Sequence, residues 1–177
     1  MKKLLPILLC AALLAGCGSS AAESTNGGAD SETDIVASDD AEANTANLDA
    51  AVSALEEVNP IANPRALDDF SVENELMLTM DNIDGYKGDV TNDQADCGLV
   101  FVAQAKPGKA ADVESELQAY KDSLSANDLY AEFADKVALA KDARIVTNGD
   151  YVAIVIAGIS NPDYSAIDTA LETALNF

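Results

Sequence analysis

Arg144-Ile145-Val146-Thr147-Asn148-Gly149-Asp150-Tyr151-Val152-Ala153-Ile154-Val155-Ile156 places an Asn-Gly pair between two runs rich in β-branched residues. Such runs favour strands. Asn-Gly between them specifies a hairpin through a type I′ turn, because both central residues need positive φ. The second arm, Tyr151 to Ile156, is apolar on both faces, which predicts a strand in the interior of a sheet.

Upstream, Cys97 to Ala105 predicts another interior strand, with Leu99, Phe101 and Ala103 on one face and Val100 and Val102 on the other. Between it and the hairpin lie two helical stretches. Pro107-Gly108 turns the chain into a helix whose Ala110, Val113, Leu117, Tyr120 and Leu124 recur at three and four, opposite Asp112, Glu114, Glu116, Lys121 and Asp122. Ser125-Ala126-Asn127 then recaps a helix carrying Leu129, Phe133, Val137 and Ala140. Beyond the hairpin, Asn161 caps and Pro162 opens a last helix bearing Tyr164, Ile167, Leu171 and Leu175.

Nearer the N-terminus, Leu48, Val52, Leu55 and Val58 share one helical face, with Asn47 as the cap and Asn59-Pro60 as the end. Pro60-Ile61-Ala62-Asn63-Pro64 reads as a stiff connector. Ser71 is the expected cap of a second helix striped by Val72, Leu76, Met80 and Ile83. Met77 and Met80 read as core filler rather than a ligand pair.

Residues 81–96 hold Asp81, Asp84, Asp89, Asp93 and Asp96 among Asn and Gly. A calcium loop of the helix-loop-helix kind needs an acid at its first position, Gly at its sixth and Glu at its twelfth. Placing Gly85 sixth puts Met80 first and Thr91 twelfth; starting at Asp89 puts Gln94 sixth and Val100 twelfth. Neither register fits, so the stretch reads as turns around a short strand near Tyr86 to Thr91, with no metal or cofactor site assigned. The expected fold is α+β: a mainly antiparallel sheet of about four strands packed against helices on one face.

The first residues carry a different signal. Lys2 and Lys3 precede an apolar run from Leu4 to Leu14, then Ala15, Gly16 and Cys17. This is the layout of an export signal, and the run is short of the roughly 20 residues a membrane-spanning helix requires. Leu14-Ala15-Gly16-Cys17 resembles the lipobox of bacterial lipoproteins. That resemblance implies removal of residues 1–16 and attachment of a diacylglycerol, with palmitate-class chains, to the Cys17 thiol. Two acyl chains hold stably where one holds marginally, since each buried methylene contributes about 0.8 kcal/mol. Cys10 leaves with the signal, so Cys97 is left without a disulfide partner.

Residues 17–47 are Ser, Ala, Gly, Asn, Thr and acids, and too poor in large apolar side chains to bury a core. They are expected to be a disordered acidic linker with a reach of about 30 Å, leaving residues 48–177 as one domain. The chain has 10 Lys and Arg against 31 Asp and Glu, for a net charge of −21. A field of that sign repels phosphate backbones and anionic headgroups, which disfavours nucleic acid as a partner.

Zero His removes the usual general base, zinc ligand and Ser-His pair. Cys97 stands beside Asp96 with no activating base and is expected to be an inert packed thiol. No enzyme activity is expected. From Ala66 to Phe177, the Leu99-Val100-Phe101-Val102 strand, the Lys106-Pro107-Gly108-Lys109 turn and the hairpin from Arg144 to Val152 resemble the bacterial lipoprotein family known as domain of unknown function 4358. Members look like lipobox proteins of Gram-positive bacteria, which implies location and fold and assigns no site residue.

The expected function is therefore that of a membrane-anchored, extracytoplasmic lipoprotein acting as a non-catalytic interaction module of the cell envelope. Its partners are the membrane through Cys17 and an envelope protein or the cell wall. The alternative is a cation or small-ligand binder using residues 81–96.

Overall fold

The structure, a computed structural model, describes residues 36–126 and 133–177. The expected signal, the lipobox with Cys17, the linker as far as residue 35, and Asn127 and Leu129 lie outside the described residues.

Five strands, β1 (Pro64–Ala66), β2 (Ile83–Thr91), β3 (Leu99–Ala105), β4 (Arg144–Asn148) and β5 (Tyr151–Ile156), form one sheet in the order β1-β2-β3-β5-β4. Every neighbouring pair is antiparallel. The helices are α1 (Val36–Val58), α2 (Asp69–Asn74), α3 (Ala110–Ser125), α4 (Ala134–Lys141) and α5 (Tyr164–Ala174). The α+β class and the antiparallel sheet agree with the sequence reading, and β3 and β5 are the central strands that their two-sided apolar character demands.

The expectation of helices on one face is corrected. Lys87, Val102, Ala153 and Val146 stand opposite one another across β2, β3, β5 and β4, so their side chains share a face. On that face Asp49 of α1 pairs with Lys87 at 2.8 Å, and Asp168 of α5 pairs with Arg144 at 2.6 Å. Thr147, one position along β4, points the other way and donates to Glu114 of α3 at 2.9 Å. Helices therefore cover both faces. The reason lies in β3: Leu99, Phe101 and Ala103 on one side and Val100 and Val102 on the other are all fully buried, and each apolar face needs its own cover.

The fifth strand is β1, where a connector was expected. Pro64 donates no hydrogen bond and is tolerated because β1 is an edge strand. In β2, Gly88 is required by close approach: a Cβ there would stand 2.4 Å from the Val100 carbonyl oxygen and 2.8 Å from the Phe101 Cα.

Several local expectations shift. α1 begins at Val36, so Asn47 lies inside the helix and not at its cap, and residues 36–47 are helical rather than linker. The alanine-rich composition of residues 36–47 favours a helix there. α2 is capped by Asp68, which accepts from the Ser71 amide at 2.9 Å, and Ile83 opens β2 instead of closing a helical stripe. α5 is capped by Asp163, one residue beyond Pro162. In the hairpin, Asn148 pairs with Tyr151 and the loop is Gly149-Asp150, with positive φ at Gly149 alone (60°). That is the type II′ pattern. Asn148 stays in β4 because its amide donates to the Leu175 carbonyl at 2.9 Å and to Asn176 Oδ1 at 2.8 Å.

Candidate functional site

Where α1 ends, β3 begins and β5 ends, buried polar groups meet. Asn59 is fully buried; its Nδ2 donates to the Ile156 carbonyl at 3.0 Å and its Oδ1 accepts from the Gly158 amide at 3.3 Å. Asp96 accepts from the amides of Cys97 at 2.7 Å and Ile159 at 2.8 Å. Tyr164 donates to the Leu139 carbonyl at 2.7 Å and accepts from the Ala157 amide at 3.0 Å. These bonds satisfy backbone groups that the sheet leaves unpaired at its end, which is structural work. Cys97 belongs to this knot: burial first, and the Asp96 carboxylate next, push its thiol up to about 11, outweighing the opposing influence of Lys136. At neutral pH it is a protonated thiol, not a nucleophile.

The acidic stretch does not converge. Residues 83–91 are strand, which separates Asp84 and Asp89 from Asp93 and Asp96 in the loop that follows. Among the described residues no three His, Cys, Asp or Glu side chains stand together as a metal site. Asp89 meets instead a residue far away in sequence. On the α1 face, Glu56 lies near Asp89, and its carboxyl is pushed up to about 7, by burial first and by the neighbouring Asp89 carboxyl next, with Lys87 opposing. Glu56 Oε1 is buried and has no hydrogen-bond partner among the described residues. A partly buried carboxyl beside a second carboxylate favours its protonated form. The residue sits one turn from buried Val52 and so on the helix face turned inward, the sequence cue that singles it out.

A third feature lies on the opposite side of the sheet. α2 ends at Asn74, after which Leu76 and Leu78 are both buried and Met77 between them takes a left-handed backbone with φ 59°. The Leu78 amide donates to the Val72 carbonyl at 3.1 Å, locking the turn. The two leucines face the core, so Met77 is thrust outward and is 51% exposed. This corrects the reading of Met77 as core filler; Met80 is partly buried against the core as expected. Phe70 on α2 is 67% exposed.

Glu73, Met77, Leu78, Thr79, Met80 and Asp81 line a groove of about 420 Å³. Glu116 of α3 accepts from the Thr79 amide at 2.9 Å and from Asn82 at 3.2 Å. Glu73 and Asp81 are exposed and make no ion pair among the described residues; Lys106 donates to the Asp81 carbonyl at 2.8 Å. Covering an exposed Phe or Met side chain is worth about 1 to 2 kcal/mol, so the patch offers real binding energy to whatever shields it. The cue in the sequence was weak: Met77 falls off the Val72-Leu76 stripe by one residue.

A family model described as Domain of unknown function (DUF4358) matches residues 60–157, from the turn after α1 to the end of β5. No curated protein and no solved structure matches the chain.

Proposed function

The chain belongs to the DUF4358 family, whose description assigns no activity, and from that premise we propose a non-catalytic interaction module of the cell envelope, tethered outside the membrane through Cys17. The observation that carries the interaction reading is the exposure of two large apolar side chains, Phe70 on α2 and Met77 just after it, the latter lining a groove. Aromatic and methionine side chains at a rigid surface are the usual anchors of protein interfaces. The anchor reading is supported by Leu14-Ala15-Gly16-Cys17 behind a basic and apolar leader. In this arrangement the acidic residues 17–35 are the spacer between lipid and domain.

Mass spectrometry of the purified protein is expected to find a chain starting at Cys17 with a diacylglycerol on its sulfur, and Cys17→Ala to release the protein from the membrane fraction. A bare thiol on an uncleaved chain sinks the anchor. Affinity capture from detergent-solubilised membranes is expected to recover a reproducible partner that is lost with the double substitution Phe70→Ser and Met77→Ser. Absence of any such partner sinks the interaction reading.

A further inference from the structure

We infer that the groove between α2 and the turn at Met80 to Asn82 takes a cationic amphipathic segment of another protein, one that seats an apolar side chain against Met77 and Met80 and brings Lys or Arg to Glu73 and Asp81. The inference rests on the interaction reading above and names the chemistry of the partner. Three observations carry it. The lining includes the exposed Met77 and the partly buried Met80, thioethers that adapt to apolar side chains of varied shape. Glu73 and Asp81 in the lining are exposed carboxylates with no ion pair among the described residues, and Glu116, bound to the Thr79 amide, brings a third carboxylate against the single Lys106 amine that the Asp81 carbonyl holds. The whole chain carries −21, so a second copy of it, a nucleic acid or an anionic surface meets repulsion here, whereas a cationic segment is drawn in.

Met77 is the central contact. Its left-handed backbone is an uncommon state for a side-chain-bearing residue, and the buried flanking leucines keep it there with the thioether outside. The anchor is thus pre-positioned before a partner arrives, which lowers the ordering cost of binding.

The test uses the full chain in nonionic detergent and a fluorescein-labelled amphipathic peptide of leucine and lysine, with leucine/glutamate and serine/lysine peptides as comparators. Anisotropy titration at physiological salt is expected to show binding of the leucine/lysine peptide, weaker binding of serine/lysine and none of leucine/glutamate. Met77→Ser alone, and Glu73→Gln with Asp81→Asn together, are each expected to weaken binding by about tenfold or more. Glu57→Gln with Glu172→Gln, which removes the same charge from exposed positions on α1 and α5, is expected to leave it unchanged. Failure of the leucine/lysine peptide to bind overturns the inference, as does equal weakening by the remote pair, which marks bulk attraction to an acidic protein. A membrane partner captured through Phe70 and Met77 yet indifferent to Glu73→Gln with Asp81→Asn leaves the interaction reading standing and refutes the cationic segment.

Discussion

Substituting Glu56 by Gln is expected to stabilise the protein at pH 8 and to leave it nearly unchanged at pH 4.5. The ordinary value for this carboxyl is 4.5 and the fold carries it to about 7. Between those values the folded state holds a proton that the unfolded chain has already released. Stability from this group is therefore fully present below pH 4.5, declines as the pH rises toward 7, and is gone above it. A displacement of that size corresponds at most to about 3 kcal/mol. Lys87 and Asp49 beside the pair are half exposed, so solvent screens the site, and roughly 1 to 2 kcal/mol is the discounted figure.

Gln keeps the shape and donates its amide to the Asp89 carboxylate, without the charge that Glu56 acquires at alkaline pH. Thermal melts of both proteins at pH 4.5, 6 and 8, at one ionic strength, provide the assay. The melting temperatures are expected to diverge with pH, reaching a gain of about 3 to 6 °C for the variant at pH 8. Taking the difference between the two proteins cancels the general repulsion of an acidic chain, which acts on both. Parallel melting curves across the range, or a variant less stable at pH 8, would refute a Glu56 carboxyl raised by burial and by Asp89.

Gly88→Ala drives a Cβ into the backbone of β3 and is expected to cost about 2 to 3 kcal/mol, read as a lowered denaturation midpoint with unchanged slope. Asn59→Ala strands the Ile156 carbonyl and the Gly158 amide in a buried place, and a loss of about 3 kcal/mol is expected; a loss below about 1 kcal/mol means water enters the site. Cys97 should resist iodoacetamide at pH 8, with on the order of a hundredfold less thiolate than at its ordinary value of 9.0, and peptide mapping separates it from the other cysteines. Phe101→Ala empties the centre of the sheet, where the ring lies 6.0 Å from Tyr86, and is expected to cost about 3 to 5 kcal/mol in chemical denaturation.

Residues 97–105 and 151–156 announce their strands because both faces of each run are apolar, 144–148 through the β-branched residues ahead of Asn-Gly, and α3 and α5 because their stripes keep helical spacing over several turns. β2 was only partly legible, since Asp84, Gly85, Gly88 and Asp89 are poor strand formers that pairing with β3 holds in place. The three residues of β1 carry no periodicity at all; they are a strand because the edge of β2 is there to pair with. The groove was not legible. Whether Met77 faces the core or the solvent depends on a single left-handed residue after α2, and periodicity does not report it.

Taken alone, the order of residues determined the class of the fold, its two central strands, its strong negative charge and the absence of histidine chemistry. Each of these follows from side-chain type and short-range spacing, which a chain carries before it folds. Tertiary structure alone decided that helices cover both faces of the sheet, that burial and Asp89 raise the Glu56 carboxyl, and that Phe70 and Met77 are exposed, Met77 on a groove that also holds Glu73 and Asp81. Those outcomes depend on which distant segments come together and on how much water is left between them.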